Sequence, residues 1–140
     1  ARILRLAVDG RQLACEDLLA TLDDRDNGRF DLARGDKGVA YNIRFHLHPD
    51  VAATMDGQSV YLALKSGETW VFSHDGTAEL SIAPSVYLQN GRLRPLGTHQ
   101  VVLSGVAMAY ATRVRWSLAK AQDTPDVVRD LAPAAADDDA

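Results

Sequence analysis

One cysteine in 140 residues, Cys15, leaves no internal disulfide to make. With no Cys or His neighbour at metal-finger spacing, its thiol is expected to be a small buried hydrophobe. No apolar run approaches a membrane span, so no membrane partner is expected. The first residues also lack the basic, apolar and small-residue parts of a secretory leader, and position 1 is Ala, which fits a piece of a longer polypeptide. Positive charge is not in excess. The net charge is −4, and residues 121–140 hold six of the 19 acids against one base, Arg129, leaving 14 bases and 13 acids in the body. Nucleic-acid binders usually carry a net basic stripe that neutralises phosphates, so nucleic acid is not an expected partner. No internal repeat is evident.

What the sequence does have is a core-forming composition, 46% hydrophobic with 24% charged residues, and a length suited to one domain. Turn pairs punctuate it at Asp9-Gly10, Asn27-Gly28, Asp56-Gly57, Ser66-Gly67, Asp75-Gly76, Asn90-Gly91 and Ser104-Gly105. Such pairs supply positive φ at hairpins, and segments of strand length lie between them. Ile43, Phe45 and Leu47 alternate with Arg44, His46 and His48, and Val114, Trp116 and Leu118 alternate with Arg113, Arg115 and Ser117. That period of two predicts strands near 2–8, 12–22, 39–48, 58–65, 68–74, 77–88, 98–104 and 109–120. The fold class is therefore all-β, an antiparallel sandwich.

The same period predicts a core built on Leu4, Leu6, Val8, Ile43, Phe45, Leu47, Val60, Leu62, Trp70, Phe72, Val114, Trp116 and Leu118. Three segments read differently. Leu13 to Leu22 has good helix formers and no clean alternation, so propensity alone favours a helix there. Residues 49–56 fit one helical turn started by Pro49, and the polar run 23–38 reads as a mobile loop. The acidic segment 121–140, with Pro125 and Pro133, is expected to be a disordered tail to a domain of residues 1–120.

Three stretches in order, RILRLAVDGRQLACEDLL, IRFHLHPDV and TRVRWSLAK, resemble the C-terminal β-domain of heparinase II/III-like polysaccharide lyases. Cys15 stands where that family usually has glycine. The resemblance covers nearly all of residues 1–120 and implies that Leu13 to Leu22 is a strand. It also implies a parent with an N-terminal α/α toroid that cleaves acidic, uronate-containing polysaccharides by β-elimination, in the periplasm or cell envelope. The expected partners are then the toroid, upstream β-strands that complete the sandwich, the polysaccharide and a second copy in a homo-oligomer.

Elimination next to a uronate needs a base, a group that neutralises the carboxylate and an acid for the departing oxygen. The family's catalytic and zinc-binding segments would precede Ala1, so no catalytic residue, metal ligand or cofactor is assigned here; zinc or another divalent ion would be held upstream. Two basic sets remain as substrate or interdomain contacts. Arg44, His46 and His48 should share one face of one strand, about 7 Å between alternate side chains. Two histidines so spaced can chelate a metal, but no third ligand is at hand. Arg113 and Arg115 form the second set on the polar face of the last strand, and His74 and His99 are expected to be solvated beside turns. The competing reading is a stand-alone carbohydrate-binding or structural sandwich. A sugar binder would need an exposed aromatic platform drawn from Tyr61, Tyr87, Tyr110, Trp70 and Trp116.

Overall fold

A computed structural model describes residues 1–88, 90, 91 and 94–121. Its elements are β1 (Arg2–Leu6), β2 (Gln12–Ala20), α1 (Asp24–Arg34), β3 (Val39–His46), β4 (Ala52–Asp56), β5 (Ser59–Ala63), β6 (Thr69–His74), β7 (Glu79–Tyr87), β8 (Leu96–Ala107) and β9 (Ala111–Lys120). They form two antiparallel sheets, a six-stranded one ordered β1-β2-β9-β6-β5-β4 and a three-stranded one ordered β3-β8-β7. The fold is the expected all-β sandwich. Among the described residues no helix is long and apolar enough to cross a membrane. Of the segment 121–140, expected to be a tail, residues 122–140 lie outside the described residues.

The core sits where the alternating residues of the two sheets meet. Val60, Val101, Leu103 and Val114 are fully buried. Beside them Phe45, Phe72 and Trp116 form an aromatic cluster: Phe72 stacks on Trp116 at 5.5 Å and Phe45 meets Trp116 edge-on at 4.6 Å. Trp70 and Leu118 pack half-buried against this cluster, and Cys15 is buried as expected. The core expected from periodicity therefore holds from Ile43 onward.

It fails at the N-terminus. Leu4 is 55% exposed, Leu6 68%, and Val8 lies wholly in solvent. Val8 lies past the end of β1, in the turn, so the strand stops at Leu6 and not at residue 8. The register of the other two is not at fault, because Leu4 pairs with buried Cys15 and Leu6 with half-buried Leu13, on the core side. What is missing is cover: β1 is an outermost strand of the wide sheet, and past Arg2, which meets Phe45, its core side is exposed.

Three other expectations give way to tertiary context. Residues 24–34 form a helix, not a mobile loop: the Asp23 carboxylate caps the Asp26 N–H at 2.9 Å, Asp24 and Asp26 sit in the first turn, and Arg34 sits in the last. Asn27-Gly28 thus lies inside α1. The helix buries no residue and is held through Tyr110, whose ring meets Phe30 edge-on and whose hydroxyl donates to Asp31 at 2.8 Å. Residues 52–56, expected in a helical turn, instead pair with β5 through a tight turn at Gly57, φ +60°. Ser104-Gly105 is not a turn but part of β8, where Gly105 faces Tyr41. A Cβ on Gly105 would sit 2.3 Å from the Tyr41 hydroxyl oxygen, so the glycine makes room for that ring.

Candidate functional site

Arg44, His46 and His48 lie on the exposed side of the chain at β3 and just past it, facing away from the core. The structure commits both histidines locally. His46 Nδ1 is 2.7 Å from Ser85 Oγ on β7. His48 Nδ1 accepts the Asp50 N–H at 3.1 Å, and its ring meets Tyr87 edge-on at 4.8 Å. Between them β8 places Gln100 directly opposite His46; its amide donates to the Pro84 carbonyl while Oε1 is buried without a protein partner. Sequence reasoning missed Ser85, Gln100 and the contact of Tyr87 with His48, because strand pairing alone brings these side chains beside residues distant in the chain.

Arg113 and Arg115 occupy the opposite outer surface, on the wide sheet. Both guanidiniums close on one carboxylate: Arg113 Nε lies 2.8 Å from Glu16 Oε2 and Arg115 Nε 3.1 Å from Glu16 Oε1. The β2–β9 register sets Glu16 directly against Arg115 and diagonally from Arg113. The two basic sets therefore sit on different faces of the sandwich, and the fold does not bring them together. Arg5 and Ala14 line a small hollow of about 110 Å³ beside Glu16 and Arg115.

Asp17 is the main charged group inside the fold and was not singled out from the sequence. It is 7% exposed, and its carboxylate accepts from the Arg2 guanidinium at 2.5 and 2.9 Å and from the Trp116 indole N–H at 3.1 Å. The guanidinium lies over the Phe45 and Trp116 rings, 5.1 and 5.5 Å from their centroids. Burial pushes the Asp17 carboxyl up, but the Arg2 and Trp116 donors, the Arg2 charge and the N-terminal ammonium outweigh it and hold it below its ordinary value. Asp75 is similar: burial raises it, and the Thr77 and Arg115 backbone N–H groups bring it down. Burial pushes the Cys15 thiol up, which keeps it protonated and inert.

His99 is exposed as expected, whereas His74 is only half-exposed, with Nδ1 accepting the Gly76 N–H and Nε2 buried without a partner. The aromatic side chains do not share one surface. Trp116 is buried, Trp70 is half-buried with its indole donating to Glu68, Tyr87 packs on His48, and Tyr110 packs on α1; Tyr61 is exposed on β5. Among the described residues no three His, Cys, Asp or Glu side chains converge as metal ligands.

Residues 1–117 match the family model described as heparinase II/III-like, C-terminal. The chain belongs to that family. It is also similar to FtsZ-localized protein C of Caulobacter vibrioides (strain NA1000 / CB15N), 38% identical over 87 residues. That match takes in 60% of this chain and 15% of the relative, so the heparinase II/III-like domain here spans a small part of that protein's length.

Proposed function

We propose that this chain is the C-terminal β-module of a heparinase II/III-like protein that acts on acidic, uronate-containing polysaccharides by β-elimination. The base, the neutralising group and the acid are supplied by the toroid and sandwich segments upstream of Ala1, as is any zinc. The module contributes support and polar contacts, Arg44, His46 and His48 toward substrate or a neighbouring domain and Arg113 and Arg115 likewise from the opposite face. The observation that carries this reading is the match over residues 1–117 to the family's C-terminal part. The local chemistry agrees with a supporting role. Nδ1 of His46 lies against Ser85 Oγ, Nδ1 of His48 accepts the Asp50 N–H, and Arg113 and Arg115 share Glu16.

The test is turnover by the longer natural chain on heparan sulfate, alginate or a similar uronate polymer, followed by the near-ultraviolet absorbance of the unsaturated product. His46→Ala and Arg115→Ala should change KM more than kcat, the pattern of lost binding contacts. A kcat loss of about 100-fold or more in His46→Ala would place a catalytic proton transfer in this module and overturn the reading. A second reading, an interaction module without lyase chemistry, is favoured by the relative whose name describes localisation with FtsZ. Absence of product from the intact longer chain on every uronate polymer tried would select it.

A further inference from the structure

The tripeptide Asn-Gly-Arg occurs twice in this chain, at Asn27-Gly28-Arg29 and at Asn90-Gly91-Arg92. An asparagine followed by glycine readily loses its side-chain amide, because the next residue has no side chain to hinder attack by its backbone nitrogen. Since the local sequence is the same, any difference in reactivity between the two pairs is set by the fold.

Asn27-Gly28 lies inside α1. The Asn27 N–H donates to the Asp23 carbonyl at 2.9 Å, and the Asn27 side-chain oxygen accepts the Thr21 hydroxyl. Gly28 is also helical, and helical N–H groups are used by carbonyls four residues back. Closing a five-membered ring from the Gly28 nitrogen to Asn27 Cγ needs a backbone ψ far from the helical one, so α1 must open first. Asn90-Gly91 is placed differently. It sits in a turn of the connection between β7 and β8, and both residues are exposed. Gly91 has φ +79° and nothing within 4 Å of the position a Cβ would take. Among the described residues its N–H donates to no backbone carbonyl. Asn42, the remaining asparagine, is held in β3, accepts the Ser104 hydroxyl at 2.7 Å and precedes the bulkier Ile43.

We propose that Asn90 is a site of spontaneous covalent modification, deamidation through a succinimide formed with Gly91, and that α1 protects Asn27 from the same reaction. The Gly91 nitrogen loses its proton to solvent and attacks Asn90 Cγ. A C–N bond forms, the Cγ–Nδ2 bond breaks, and the amide nitrogen leaves as ammonia with a proton taken from water. Water then opens the ring at one of its two carbonyls, giving aspartate or isoaspartate. No oxidant or reductant is needed, and water is the only co-reactant. Either product replaces a neutral amide with a carboxylate, and the isoaspartyl form routes the backbone through Cβ and Cγ, adding one carbon. The β7–β8 ladder ends at the Tyr87–Leu96 pair, so the added carbon falls outside the paired residues. The reaction asks nothing of a catalytic site and is the same in a lyase or a non-catalytic parent.

The test is incubation of the natural chain at mildly alkaline pH, with samples digested in acid over time and read by peptide mass spectrometry. In the folded protein the mass gain of amide-to-acid conversion should grow at least about 10-fold faster at Asn90 than at Asn27. In urea, where both tripeptides are free, the two rates should converge. The Asn90 product should separate into two peptides of equal mass, aspartyl and isoaspartyl. Equal rates in the folded protein would overturn the proposal, as would a difference that persists in urea, which would place its cause outside the fold. A product at Asn90 without isoaspartate would rule out the succinimide route.

Discussion

Asp17 is the acid-sensitive point of the domain, because its ionised form is held by a guanidinium and an indole between the sheets. Its carboxyl titrates below the ordinary value near 3.8, as does that of Asp75. A carboxylate depressed in the folded state contributes its full stability above the unfolded value and loses it as pH falls through the folded one. Stability should therefore be flat through neutral pH and fall below about pH 4. Asp17→Asn should cost about 1.5–3 kcal/mol at neutral pH and flatten that acid limb, as read from urea unfolding across pH. An unchanged limb would mean that Asp17 is not the group responsible. None of this was legible beforehand. Glu16 and Asp17 together break the alternation of β2, and their partners Arg115 and Trp116 lie 99 residues away. The alternation of Arg44, His46 and His48 with the core residues was legible, but their partners Ser85 and Tyr87 were not, being set by how β7 aligns on β8.

At the scale of elements, strands with a period of two and positive-φ glycine turns were read directly, as at Gly10, Gly57, Gly67 and Gly76. Errors came where one dipeptide serves two structural purposes. Gly105 is required by a neighbour's ring, and the pairing Tyr41↔Gly105 makes a specific expectation. Gly105→Ala should destabilise by about 1–3 kcal/mol through overpacking, and Tyr41→Val in the same chain should restore most of it. Thermal unfolding of the two variants decides the matter, since a loss that persists without the ring would assign the glycine another role. Helix α1 was missed for a related reason. Its cap and end charges were present in the sequence, but a helix without an apolar stripe gives periodicity nothing to register.

For the whole molecule, periodicity specified which way each side chain points and not whether anything lies above it. Leu103 and Leu6 are both core-directed leucines, one fully buried and one 68% exposed. In the 140-residue chain Leu103→Ala should cost about 2–5 kcal/mol, whereas Leu6→Ala should stay within about 0.5 kcal/mol. Equilibrium urea unfolding of both variants tests this, and a large loss at Leu6 would show that β1 is covered after all.

Strand order has a further consequence during synthesis. Among the described strands β9 is the last in sequence and the only one joining β2 to β6, so these strands of the wide sheet stay in two pieces until it emerges. β2 ends at Ala20 and β9 begins at Ala111. At about 5–20 residues per second, the β1–β2 hairpin waits roughly 5–20 s on the ribosome with the β9-facing edge of β2 open. Any chain stopped before Ala111 would hold that aggregation-prone edge open permanently.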